Sequence, residues 1–108
     1  MNTSLIASLR SQRDGPRDGA LLRFSLGNAL FAAGDLEGAI DELRHALTFD
    51  PGYSAAWKLL GKVFLDAGQP LAAADTWRHG IAAAAQRGDK QAEKEMTVFL
   101  HRVDKTSP

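Results

Sequence analysis

His45 and His79 are the side chains of this sequence best suited to chemistry near neutral pH, where imidazole changes charge and readily binds metals. They lie 34 residues apart, each directly after an arginine, Arg44 and Arg78. Two imidazoles on neighbouring helices could begin a metal site. However, no carboxylate or further ligand shares a known motif spacing with them, HExxH does not occur, and the chain has no cysteine to supply a thiolate. Both are therefore read as solvent-facing, and neither metal nor cofactor is expected. The usual nucleophile and phosphate-binding motifs, GxSxG and GxxxxGK[ST], are also missing. Glu93 and Glu95, two apart on a helix, point to different faces and form no acid–base pair. No catalytic residue is expected, and the chain is read as non-enzymatic.

Lys58 and Lys62 offer a different chemistry. At i and i+4 they share one helix face, where like charges cost roughly 0.2–0.5 kcal/mol. Such a pair is relieved by an anion, and Asp66, four residues further on, is the expected neighbour of Lys62. Two lysines beside apolar side chains suit an acidic or C-terminal carboxylate peptide carrying an apolar anchor.

The elements that position these residues follow from a shift of the chain onto itself. Moved by 34, residues 20–50 align with 54–84 without a gap. Identity holds at Leu26/Leu60, Gly27/Gly61, Ala33/Ala67, Gly34/Gly68, Ala39/Ala73, Asp41/Asp75, Arg44/Arg78 and His45/His79. A period of this size marks stacked supersecondary units. Within each unit two helices are predicted. Leu22, Leu26, Leu30 and Ala33 recur on one helical face, Gly34-Asp35 breaks the run, and Ile40, Leu43, Ala46 and Leu47 form a second stripe. Asp50-Pro51-Gly52 ends that stripe. The second unit repeats the order with Trp57, Leu60, Phe64 and Ala67, a break at Gly68-Gln69, Pro70 in an allowed first-turn position, then Ala73, Ala74, Trp77 and Ile81.

The spacing resembles the tetratricopeptide repeat, in a small two-repeat form of bacterial type. Counted from Ala20, its fixed small and large positions fall on Leu26, Gly27, Leu30, Ala39, Leu43, Ala46 and Pro51. Counted from Ser54, they fall on Trp57, Leu60, Gly61, Phe64, Ala73, Trp77 and Gly80. Arg23 departs where Trp57 keeps the pattern, and Ala85 departs where Pro51 keeps it. The second departure predicts that the fourth repeat helix runs on to about Gln86 or Arg87. The resemblance implies an all-α, right-handed α-α superhelix of two helix–turn–helix units with capping helices at both ends. The expected division of the single domain, 1–108, is a short helix over 3–12, repeats over 20–53 and 54–87, a solvating helix over 89–103 and a tail over 104–108. Asp18 is the expected cap of the first repeat helix, and Asp89 that of the solvating helix. The latter carries Ala92, Met96, Phe99, Leu100 and Val103 on one side.

The resemblance also implies a function, binding in the concave groove lined by the first helix of each repeat. Carried over by position, its lining is Leu21, Phe24, Asn28 and Phe31 from the first unit and Ala55, Lys58, Lys62 and Leu65 from the second. The set is similar to a chaperone-type carboxylate clamp only at Asn28. Phe24 stands in place of a clamp lysine and Leu59 in place of an asparagine, so a chaperone clamp is not expected. Because the first helix is apolar on two faces, it must be covered on both or expose one to a partner. Leu5, Ile6 and Leu9 are the candidates to cover Phe24 or Phe31. The expected function is non-catalytic binding of a protein or peptide segment, with a structural homodimer as the alternative.

Composition bounds the rest. With 13 basic and 13 acidic residues the formal charge is zero, unlike proteins built around nucleic acid, and no nucleic-acid partner is expected. No apolar run reaches the length of a membrane span, so no membrane partner is expected. The start Met1-Asn2-Thr3-Ser4-Leu5-Ile6-Ala7-Ser8 lacks the basic and apolar regions of a secretory signal. Together with the missing cysteines this leads to an expected cytoplasmic location.

Overall fold

The computed structural model describes residues 3–106, and within them the chain forms six helices and no strand. They are α1 (Thr3–Ser11), α2 (Ala20–Ala32), α3 (Leu36–Phe49), α4 (Ser54–Asp66), α5 (Pro70–Arg87) and α6 (Lys90–Thr106). Helices α2 and α3 form one antiparallel pair and α4 and α5 the next, with α1 against α2 and α6 against α5. The result is an all-α helical-repeat stack of 41 × 29 × 18 Å.

The turn inside each repeat is written by the same residues. Gly34 has φ 85° and Gly68 φ 76°, a left-handed backbone that glycine adopts without a Cβ clash. The following amide then reaches back over the end of its helix, Asp35 N–H to Leu30 O at 2.9 Å and Gln69 N–H to Phe64 O at 2.9 Å. Asp35 goes on to cap α3 by accepting from the Gly38 amide at 2.9 Å. Pro70 opens α5 in the first turn, where its lack of an N–H leaves one fewer donor to satisfy, and the cap position Gln69 makes no side-chain hydrogen bond. With alanine at 85, α5 continues to Arg87.

Close approach of paired helices depends on small residues facing large ones. A Cβ on Gly27 would stand 2.8 Å from Leu43 Cγ, and one on Gly61 would enter the Trp77 indole. Gly80 gives the same room to Met96 and Trp57. Leu26, Leu43, Val63, Trp77 and Met96 are fully buried and form the axis of the core. Helix α6 closes the C-terminal end with Ala92, Met96 and Val103, and its Phe99 ring lies 5.4 Å from that of Trp77.

Two local expectations are corrected. The cap position of α2 is Gly19, with no side-chain hydrogen bond, because Asp18 is held by Arg23 instead. The chain also stays helical through Thr106, beyond the expected end at 103, while Ser107 and Pro108, like Met1 and Asn2 at the other end, lie outside the described residues. Asp89 does cap α6, accepting from the Ala92 amide at 3.1 Å.

This packing sets two expected costs, both measurable by thermal or urea denaturation. Leu60→Ala removes a buried side chain and should destabilise the fold by about 2–5 kcal/mol. Gly61→Ala pushes a methyl group into Trp77 and should cost about 1–3 kcal/mol.

Candidate functional site

The first helices of the two repeats lie side by side, and their facing side chains enclose a cleft of ≈ 260 Å³ lined by Phe24, Asn28, Ala55, Lys58, Leu59 and Lys62. Five of the eight groove residues named from sequence thus meet in one place. The other three do not. Leu21 is 70% exposed at the start of α2, Phe31 is half-buried against the core, and Leu65, 43% exposed, opens on a neighbouring hollow between α4 and α6. Phe24 forms the aromatic wall of the cleft, its ring 5.1 Å from that of Tyr53. Burial and the nearby Asp50 carboxylate push the Tyr53 phenol upward.

The two lysines have different surroundings. Lys58 donates to Glu95 of α6 at 2.9 Å, an ion pair the local sequence cannot reveal because the residues are far apart in the chain. Lys62 forms no ion pair with Asp66. Its ammonium lies instead 4.8 Å from the centre of the Phe99 ring, a cation–π contact.

On the other flank of α2, helix α1 covers the second apolar stripe only in part. Ile6 is buried, whereas Leu5 stays exposed. Leu5 and Leu9 face Phe24, Asn28 and Ala29 across a hollow of ≈ 640 Å³.

His45 and His79 sit on exposed faces of the second helices, each with ring Nδ1 2.9 Å from a backbone oxygen one turn earlier, Asp41 O and Asp75 O. His79 is also stacked on Trp57 at 5.9 Å. Among the described residues no three His, Asp or Glu side chains stand close enough together to hold a metal ion.

A family profile described as TPR repeat matches residues 27–68, from the middle of α2 to the turn after α4. The TPR repeat-containing protein PA0015 of Pseudomonas aeruginosa is 53% identical over 88 residues, which are 82% of this chain and 84% of that protein. The chain belongs to the TPR repeat family. The TPR chain is also similar to protein BPP2914 of Bordetella parapertussis, solved in solution, at 41% identity and a TM-score of 0.80, over 93% of this chain and 87% of that one. A tetratricopeptide repeat domain protein of Salinibacter ruber shares the fold at 19% identity, with a TM-score of 0.77 over 83% of this chain and 100% of that one. TPR domains generally mediate protein–protein interaction and are generally non-catalytic. Among the described residues of this TPR chain, no helix is long and apolar enough to cross a membrane.

Against the TPR pattern, Arg23 is the position that sequence reasoning marked only as a departure. Its counterpart Trp57 donates its indole N–H to Pro51 O at 2.7 Å. Arg23 solves the same position with charge. Its guanidinium, 7% exposed, donates to Asp18 through Nε and Nη2, both at 2.8 Å, and to Glu42 through Nη1 at 3.0 Å. Arg13 completes the group with a 2.8 Å bond to the other oxygen of Glu42. Fork geometry of this kind is what a guanidinium supplies and a lysine does not. The group ties the segment between α1 and α2 to α3, and so places α1 beside the groove. The only signal in the sequence was an arginine five residues after an aspartate, at a position that elsewhere takes an aromatic.

Hydrogen bonds from Arg23, and then from the Asp14 and Gly19 amides, hold the Asp18 carboxyl well below the usual carboxylate range. A depressed carboxyl contributes its stability in full above its unfolded value, about pH 3.9, and loses it as pH falls toward the folded value. Acid titration followed by circular dichroism should therefore show the native protein losing stability steeply below about pH 4. Asp18→Asn should be less stable at pH 7 and show a shallower acid decline.

Proposed function

We propose that this TPR chain binds a protein or peptide segment in the cleft between α2 and α4, without catalysis, and that the segment presents acidic or C-terminal carboxylate groups beside an apolar anchor. The observation that supports this reading most strongly is the single cleft in which Phe24, Asn28, Ala55, Lys58 and Lys62 converge. It combines an aromatic wall, an exposed amide and two ammonium groups, so apolar contact and anion pairing are available within one short stretch of ligand. Lys62 carries the larger share of the expected anion contact, because Lys58 already holds Glu95. A ligand carboxylate at Lys58 has to share that ammonium or displace Glu95.

The test is affinity capture from the native extract with the unmodified chain and with Asn28→Glu/Ala55→Glu. Neither side chain is buried, so the double variant should keep native helicity while placing negative charge in the cleft. The expected result is a partner retained by the native chain and reduced at least about tenfold by the variant, the effect of losing one good charged hydrogen bond. Equal retention by both would contradict the cleft as the binding face. Recovery of the chain alone, at twice its mass, would favour self-association.

A further inference from the structure

On the side of the second helices, α3 and α5, lies a hollow of ≈ 420 Å³ that shares no residue with the α2–α4 cleft. Its floor is made by Trp57, Leu60 and Phe64 of α4, and its walls carry Arg44 on α3 and Asp75 and His79 on α5. The Arg44 guanidinium lies over the Phe64 ring, with Cζ 5.5 Å from the ring centre, and makes no ion pair among the described residues. Its N–H donors are therefore available at the mouth of an apolar hollow. The Asp75 carboxylate is mostly exposed and has the His79 ring as its ionisable neighbour, at 3.7 Å. That ring already has its Nδ1 2.9 Å from the Asp75 backbone oxygen. Arg44 and Asp75 thus line one hollow with opposite charges that do not pair with each other. One turn before Asp75 stands Leu71, 78% exposed, more than any other large apolar side chain among the described residues. The repeat itself does not call for a leucine there, since the equivalent position on α3 is Glu37.

An aromatic floor beside an unpaired guanidinium is complementary to an apolar side chain with a carboxylate close by. Leu71 and Asp75 are such a pair: at i and i+4 they leave one face of α5 about 5–6 Å apart. The hollow offers the matching groups at the same spacing, the Phe64 ring 5.5 Å from the Arg44 guanidinium. The chain therefore carries, at the rim of its hollow, the segment that fits it. Leu71 cannot fill the hollow of its own chain, because α5 is the wall from which it points. A second copy can supply it, and at a formal charge of zero two copies meet without net repulsion. We propose that a second copy of this chain docks on the α3–α5 face, with α5 antiparallel to its counterpart about a twofold axis. The partner's Leu71 rests on Trp57, Leu60 and Phe64, and the partner's Asp75 pairs with Arg44. The same two contacts recur in the opposite direction, the self-complementary arrangement of a closed dimer. The first helices take no part, so the dimer presents two open α2–α4 clefts.

The test is sedimentation velocity of the full chain from micromolar to millimolar concentration, with circular dichroism to confirm that each variant keeps its fold. The native chain is expected to move from 11.6 kDa toward twice that mass as concentration rises. Arg44→Asp and Asp75→Arg each set like charges against one another at both contacts, and each variant alone should dimerise at least about tenfold more weakly. An equimolar mixture of the two restores opposite charges at both contacts and should regain the dimer. Leu71→Lys reads the apolar contact without changing Arg44 or Asp75 and should weaken the dimer as well. All three positions are exposed, so native helicity is expected throughout. A native chain that stays monomeric at millimolar concentration, a dimer unchanged by the single variants, or a mixture that stays monomeric would each overturn the assignment. A dimer that withstands these variants and is lost in Asn28→Glu/Ala55→Glu would overturn it in favour of pairing through the first helices. Capture of a partner by the cleft is read separately, since none of the residues varied here on α3 and α5 lines it.

Discussion

The structure depends on the close contact of a glycine on one helix with a large apolar side chain on its partner. Gly27 admits Leu43, Gly61 admits Trp77, and Gly80 admits Met96. Without a Cβ at these places the backbones approach, and the large residue fills the space between them at interior packing density. The Gly27–Leu43 contact recurs 34 residues on as Gly61–Trp77, so the pairs stack in the same orientation and the first helices, α2 and α4, come side by side. The cleft is a consequence of that repetition. A side chain in the place of Gly61 would push α4 and α5 apart and misplace Lys58 and Lys62 together.

Two repeats expose two ends, and the chain closes them by different physics. At the C-terminal end α6 docks through Met96, Val103 and Phe99, with the Lys58–Glu95 pair and the Lys62–Phe99 contact toward α4. At the N-terminal end the buried guanidinium of Arg23 gathers Asp18 and Glu42, and α1 adds little beyond Ile6 to the core. Buried ion pairs repay much of their attraction in desolvation, so this closure confers position more than stability. The exposed Asp50–Arg87 pair, with bonds of 2.7 and 3.0 Å, similarly fixes the inter-repeat loop against the end of α5.

What the sequence made legible was periodic or local. The 34-residue shift, the Gly34 and Gly68 turns, Pro70 and the long α5 follow from short-range rules that the fold obeys. The groove was legible as a face of two helices, and five of its residues do converge. Contacts between residues distant in the chain were not. Nothing near Lys58 announces Glu95, and nothing near Lys62 announces Phe99, so the lysines read as an equivalent pair although their surroundings differ. Asp18 misled because an aspartate before a helix is usually a cap, while here a buried arginine one turn into α2 competes for it and prevails.

The proposed function has partners meet the first helices of the repeats. Amide hydrogen exchange, measured on the chain alone and on the chain with its captured partner, tests it most directly. Slower exchange on binding should concentrate in α2 and α4, around residues 24–28 and 55–62, with α3 and α5 unchanged. Protection confined to the outer faces of α3 and α5, around His45 and His79, would contradict it.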